Sequence, residues 1–121
     1  MQYLLLIYGN EKTWAKQTSQ TREELLKEYG DFSASIARSG HLRGGNELDE
    51  TYKAKTVRVR DGKPLVSDGP FAETKEQLGG YYLIEANNED EALAIAARIP
   101  SARWGSIEVR PIIPHPMPVS S

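Results

Sequence analysis

The sequence predicts an α+β fold of the ferredoxin-like type, a split βαβ sandwich with an extra hairpin arm. The predicted elements follow in the order β-α-β, hairpin arm, β-α-β, which is the order of that fold. Two predicted strands, residues 2–8 and 81–86, are apolar on both faces, as central strands of a sheet are. Two helices cover only one face of such a sheet. The apolar centre of the other face therefore predicts a homodimer that packs sheet on sheet.

The first elements are one strand and one helix. Residues 2–8 predict a strand because they are short and apolar, and the polar residues 11–20 predict a loop. Thr21 and Glu24 match a capping box, which predicts a helix over residues 21–38. The apolar face of this helix consists of Leu25, Tyr29, Phe32 and Ile36.

The hairpin arm follows a less regular stretch. Residues 41–50, with their glycine pair, predict a short extended piece and a loop. Residues 55–60 alternate between valine and basic residues, and Asp61-Gly62 is a tight-turn signal. Residues 63–67 are then the returning strand of the arm.

The last elements complete the second β-α-β unit and are followed by a tail. They are predicted as a strand at 81–86, a helix from Asn88 through Ile99 that Pro100 ends, and a strand at 106–110. Prolines recur from residue 111 onwards, and proline cannot continue a helix. The sequence thus predicts one domain over residues 1–113 and a proline-rich tail over 114–121.

Composition narrows the class of protein. The chain has 121 residues, 39% of them hydrophobic and 26% charged, which is typical of one soluble globular domain. The net charge of −2 argues against nucleic acid as a partner. The absence of cysteine excludes disulfides and thiol chemistry and favours the cytoplasm. The longest apolar run, residues 3–8, is too short to span a membrane, and no basic segment precedes it as in a signal peptide.

The segment 67–80 is the main candidate for a functional site. It combines turn-forming residues with five charged or amide side chains, and loops of this kind often carry function. Composition alone favours a simple surface turn; the functional interpretation is a loop that forms the wall of a cleft for a small polar or anionic ligand. The ligand-binding candidates are Asp68, Gly69, Pro70, Phe71, Glu73, Lys75, Gln77, Gly80 and Tyr82. We expect Asp68 to close an Asx-type turn and Phe71 to point inward as the anchor of the loop.

Candidates for acid–base chemistry are few. His41 is the only histidine before the tail, where His115 lies. A single histidine does not make a metal site, so neither a metal nor another cofactor is predicted. An exposed loop or strand-edge role for His41 competes with a proton-transfer role. The enzymatic alternative is a lyase-type enzyme of small molecules that uses Asp68 or His41 as acid or base.

Residues 68–80 resemble the signature of the YCII-related (YciI-like) family, in its DGPF-domain branch. Residues 3–9, 97–100 and 107–111 fit the same branch. The resemblance implies a ferredoxin-like, dimeric α/β-barrel fold with a cleft on each protomer. Members of the branch are often encoded near extracytoplasmic-function sigma factors, which gives a third hypothesis, a regulatory partner in sigma-factor-linked transcription.

The resemblance does not extend to the catalytic pair of the wider family. Some members are proposed to be enzymes with a histidine on the first helix and an aspartate near the end of the second. In this chain the predicted first helix, 21–38, has no histidine, and residues 97–103 contain no aspartate. Any chemistry would then depend on Asp68, Glu73, Lys75 or His41.

Overall fold

The computed structural model describes residues 1–116; residues 117–121, the end of the predicted tail, lie outside the described part. The described chain has an α+β architecture. Its elements are β1 (Gln2–Gly9), α1 (Glu11–Ala15), α2 (Ser19–Arg38), β2 (Leu42–Glu47), β3 (Lys55–Arg60), β4 (Lys63–Asp68), β5 (Gln77–Glu85), α3 (Glu89–Ala97) and β6 (Ser106–Pro111). Short 3-10 turns at Thr51–Lys53 and Pro100–Arg103 precede β3 and follow α3.

The main sheet has four antiparallel strands in the order β2-β5-β1-β6. This order and these directions agree with the split βαβ arrangement of the ferredoxin-like fold. β1 and β5 lie in the centre of the sheet, as their two apolar faces predicted. In the chain, β3 and β4 lie between β2 and β5. They pair with each other as a separate two-stranded arm, which confirms the predicted hairpin.

The helices cover one face of the sheet, and this face contains the core. On β1, Tyr3 and Leu5 point into the core, and Ile84 is their counterpart on β5. α2 contributes Phe32 and Ile36 to the same cluster. Leu5, Ile36 and Ile84 have no exposed surface, and burial of each such side chain contributes about 1.5–3 kcal/mol. The odd-numbered residues of β1 thus face the helices, and the even-numbered ones face away.

Two helices begin where the sequence predicted a loop. Asn10 caps α1, since its Oδ1 accepts hydrogen bonds from the backbone N–H groups of Lys12 and Thr13 at 2.9 and 3.2 Å. Thr18 caps α2, and its Oγ1 accepts the backbone N–H of Thr21 at 3.1 Å. Thr21, the predicted cap, therefore lies inside the first turn, because an earlier side chain already satisfies its free N–H group.

β5 begins at Gln77, four residues before the predicted strand, because its two glycines belong to the sheet. Gly80 pairs with Ile7 on one side and Glu47 on the other. A Cβ atom on Gly80 would lie 3.0 Å from the carbonyl oxygen of Asn46. The strands therefore approach closely at the glycine pair, and the register of β1 and β5 shifts next to Ile7. Because β5 begins earlier than predicted, the loop before it shortens to residues 69–76.

The second main helix ends two residues earlier than predicted. α3 runs from Glu89 to Ala97, and Ile99 already has an extended backbone with φ −62° and ψ 126°. The cause is Pro100, whose ring disfavours the helical conformation of the residue before it. The predicted cap is confirmed, since Asn88 Oδ1 accepts the backbone N–H of Glu91 at 2.9 Å.

Two glycine substitutions test the packing of the fold. A Cβ atom on Gly105 would lie 2.3 Å from the carbonyl oxygen of Tyr8, whereas one on Gly30, within α2, would meet nothing within 4 Å. We expect Gly105→Ala to lower the free energy of unfolding by about 1–3 kcal/mol, and Gly30→Ala to raise it by about 0.5–1 kcal/mol. Urea unfolding of both variants measures the difference. Equal stabilities would contradict the close contact at Gly105.

Candidate functional site

The sheet face opposite the helices, here called the open face, has a regular layout. Strand register places residues of all four strands side by side in rows. One row contains Asn46, Tyr81, Leu6 and Glu108, and the next contains Gly44, Leu83, Leu4 and Arg110. Cross-strand neighbours in such rows lie within contact distance. The open face therefore has an apolar centre of three leucines and polar groups at its edges.

Hydrogen bonds fix the polar groups of the open face. Asn46 Nδ2 donates to the hydroxyl oxygen of Tyr81 at 2.8 Å. The Tyr8 hydroxyl donates to Glu108 Oε1 at 3.4 Å, and Arg110 Nε donates to Glu108 Oε2 at 3.0 Å. The hydrogen bond with Glu108 also raises the pKa of Arg110. The face thus presents two tyrosine hydroxyls, one amide and one ion pair in defined positions.

The loop 69–76 meets the sheet at one end of the open face. Glu76 Oε1 accepts the Ser106 hydroxyl at 2.8 Å, and Ser106 pairs with Tyr8. Gln77 holds the end of the loop: its Nε2 donates to the carbonyl of Thr74 at 2.6 Å and its Oε1 accepts the N–H of Glu11 at 3.0 Å. These bonds place the loop next to Tyr8 and its cross-strand partner Ser106.

The beginning of the loop is bound to the base of the hairpin arm. Gly69 has φ +87°, a left-handed conformation that favours glycine. Its N–H donates to the carbonyl of Ala54 at 2.7 Å, and its carbonyl accepts the Thr56 hydroxyl at 2.8 Å. The loop is therefore held by hydrogen bonds at both ends.

The middle of the loop differs from the prediction in one respect. Pro70, Phe71, Glu73 and Lys75 are all exposed, and the ring of Phe71 is 80% exposed. The expectation that Phe71 points inward is wrong for the single chain. The core lies on the other face of the sheet and is filled by the helices, so the ring finds no buried position in its own chain.

Asp68 also departs from the expected turn. It is the last residue of β4, and its carboxylate forms an ion pair with Lys55, its cross-strand partner. Within residues 1–116 it accepts no backbone N–H, so the predicted Asx turn is absent there. The reason is its extended backbone, which directs the side chain across the ladder to Lys55. With 85% of the side chain exposed, this pair contributes little to stability.

Gly80 and Tyr82, the last ligand-binding candidates, lie away from the open face. Gly80 is buried in the strand ladder. Tyr82 faces the helices: its hydroxyl is 2.7 Å from Ser33 Oγ, and its ring meets Phe32 edge-on, with centroids 5.2 Å apart. Nearby, the Tyr29 hydroxyl bonds to Ser101, and burial raises the pKa of Tyr29. Tyr82 is thus part of the helix–sheet packing.

His41 lies at the opposite end of β5 from the loop. Its carbonyl accepts the N–H of Glu85, the last residue of β5. β5 has nine residues, which at about 3.3 Å per residue separates its ends by about 26 Å. His41 and the loop therefore do not form one site, and the two alternative acid–base residues, Asp68 and His41, lie in different parts of the fold.

His41 instead joins two elements through its ring. Nδ1 lies 2.6 Å from Ser39 Oγ, and Nε2 lies 2.9 Å from Glu91 Oε1. The series Ser-His-Glu resembles a nucleophilic triad, but Ser39 is the C-cap of α2. The negative end of a helix dipole opposes a developing oxyanion. The arrangement suits a clamp between α2 and α3 better than nucleophilic catalysis.

The described residues hold no group of three or more His, Asp or Glu side chains placed to bind a metal ion. In that same range, no helix has both the length and the apolar character that crossing a membrane requires.

Sequence reasoning missed most of the open-face groups. Tyr8, Tyr81, Asn46 and Glu108 stand out only once the exposed face of the sheet is known. The signal that could have found them is the two-residue period of the strands, which puts Tyr8 on the same face as Leu4 and Leu6.

Comparisons with known proteins identify the family of the chain and leave its activity open. The family model of the YCII-related domain matches residues 1–116. An uncharacterized protein of Rhizobium meliloti (strain 1021) is 37% identical over 114 residues, covering 93% of this chain and 92% of that protein. The chain belongs to the YCII-related family, which confirms the resemblance seen in its sequence.

The His41 clamp predicts an acid-dependent stability. The backbone N–H of Asn87, and then the ring of His41, lower the pKa of Glu91 below its ordinary value of 4.5. A carboxyl whose pKa is lower in the folded state stabilises the fold above its unfolded pKa and loses this contribution as the pH falls through the folded value. We expect Glu91→Gln to flatten the decline of unfolding free energy between neutral pH and about pH 3.

Glu23→Gln, an exposed change in α2 whose carboxylate forms no hydrogen bond or ion pair within residues 1–116, is the matched control. Its pH profile should run parallel to that of the wild type. The measurement is urea unfolding at several pH values. A Glu91→Gln profile that also runs parallel to the wild type would contradict the clamp.

Proposed function

We propose that this YCII-related protein is a homodimer that binds a small polar or anionic ligand next to the loop 69–76. The observation that supports this most directly is the layout of the open face. An apolar centre is suited to a second copy of the chain, and fixed polar groups at the loop end are suited to a ligand.

The apolar centre supports the dimer. Leu4, Leu6 and Leu83 are only half-buried in the single chain, and no other element within residues 1–116 covers them. Contiguous apolar surface of this kind marks an interface. Since a two-fold interface uses the same patch on both subunits, two open faces can pack against each other.

The hairpin arm supports the same assembly. Val57 and Val66 are cross-strand partners, Val59 lies on the same side, and all three are more than half exposed. An isolated two-stranded hairpin is marginally stable in water. Contact with a second subunit would stabilise the arm and remove its valines from water.

The loop end of the open face supports the ligand site. The Tyr8 and Tyr81 hydroxyls and the Asn46 amide can fix the orientation of a polar ligand. Lys75 on the loop forms no ion pair within residues 1–116, so its charge remains for an anion. The ring of Phe71 offers apolar contact beside it. In the dimer this end of the interface would form the cleft.

A regulatory role is the second candidate, and the arm is the observation that favours it. One side of the arm carries valines, and the other carries Arg58, Arg60 and Lys63. An amphipathic, basic strand pair of this kind could bind another protein. Acid–base catalysis by Asp68 or His41 gains no comparable support, because Asp68 is an exposed ion-pair partner of Lys55 and His41 is held between Ser39 and Glu91.

Leu4→Glu tests the dimer. Leu4 pairs with Arg110 on β6, so the new carboxylate has a cation opposite it and the single chain should still fold. We expect sedimentation velocity to show a dimer for the wild type and a monomer for Leu4→Glu, since the charge would be buried in the interface. Leu26→Glu, on the exposed side of α2, should remain a dimer. A monomeric wild type would refute the dimer. The exposed arm would then favour a different protein as the partner.

Lys75→Gln tests the ligand site. We expect a thermal-shift screen of dicarboxylates and phosphate monoesters to raise the melting temperature of the wild type, because a ligand stabilises the folded state by mass action. Lys75→Gln should lose most of that rise. Lys63→Gln, at the turn of the arm, should retain it. A screen without any stabilising compound, or equal shifts in both variants, would count against this site.

A further inference from the structure

A groove separate from the open face lies between α2 and the turn that follows α3. Its volume is about 430 Å³, within the range of small-molecule sites. The buried side chains of Phe32, Ile99 and Pro100 contribute its apolar lining. Ser35, Arg98 and Arg103 add polar groups to the same groove. The combination of an apolar lining and two guanidinium groups is typical of a site for an anion with an apolar body.

Arg98 is the cation that remains available in this groove. Its Nη2 donates to Ser35 Oγ at 2.5 Å, and its guanidinium lies over the ring of Phe32, 5.6 Å from the centroid. Both partners are neutral. Within residues 1–116 no carboxylate pairs with Arg98, so its charge is uncompensated while its position is fixed. Such a group can bind an oxyanion with little loss of side-chain freedom.

Arg103 is already engaged. It forms an ion pair with Glu28, donates from Nε to the carbonyl of Pro100 at 3.0 Å, and lies over the ring of Trp104 at 4.9 Å. Its role is to close one side of the groove and to neutralise Glu28. The groove thus has one free positive charge.

The acidic residues of the groove restrict the ligand further. Glu28 and Asp31 both line it, and within residues 1–116 the one ion-pair partner of Asp31 is the exposed Lys27, at 3.0 Å. A dianion such as phosphate would meet one available cation and two nearby carboxylates. A singly charged carboxylate matches the charge of Arg98 with less repulsion.

We propose that this groove binds a small monocarboxylate, with its carboxylate on Arg98 and its apolar body against Phe32 and Pro100. The site belongs to the helix layer and uses none of the open-face residues. It is therefore independent of the ligand site proposed beside the loop.

Titration of the full-length protein with benzoate tests the groove. Binding is followed by the NMR chemical shifts of the backbone amides and of the Arg98 Nε–H. We expect saturable shifts at Ser35 and Arg98, with a dissociation constant on the order of millimolar for so small a probe. Arg98→Gln should weaken binding by about tenfold or more, since a charge-assisted hydrogen bond is lost. Benzyl alcohol and inorganic phosphate should both bind more weakly than benzoate.

Arg38→Gln is the matched control, because Arg38 lies in the last turn of α2 and does not line the groove. Its benzoate affinity should equal that of the wild type, and circular dichroism should show that both variants are folded. Non-saturable shifts, or an unchanged affinity in Arg98→Gln, would overturn the proposal. Benzoate binding that is lost in Lys75→Gln and kept in Arg98→Gln would also overturn it, while supporting the site beside the loop.

Discussion

The pairing of β5 with both β1 and β2 is the constraint on which the rest of the structure depends. Its register places Ile84 in the core and leaves Tyr81 and Leu83 on the open face. The loop 69–76 leads into the first residue of β5, and His41 is hydrogen-bonded to its last residue, so the loop and His41 lie at opposite ends of this strand. A shift by a single residue would exchange the two faces of the strand and expose the core residues.

The sequence predicted the order of the elements well because their signals are local. The two apolar faces of β1 and β5 identified the central strands, and Asn88 identified the start of α3. The boundary of β5 was missed because a glycine pair usually interrupts a strand pattern. Here Gly80 is required inside the ladder, and only the neighbouring backbone of Asn46 shows why.

The candidate site was harder to predict, since its geometry depends on distant partners. The unusual composition of the loop was visible, but the exposure of Phe71 depends on where the core lies. His41 is a single histidine in the sequence, and its partner Glu91 is 50 residues away. Tyr8 and Tyr81 are ordinary strand formers by residue type. Their interest arises only because the helices cover the opposite face of the sheet.

The positions of the polar groups suggest how the fold could combine assembly with recognition. Both ends of the loop are hydrogen-bonded, and Asn46 and Tyr81 hold each other in place. A ligand bound there would order few further side chains, so less of its interaction energy would be lost to conformational entropy. The same sheet would present its leucines to a second subunit. Because the cleft would form at the edge of the dimer interface, a ligand bound there would favour the dimer over the monomer.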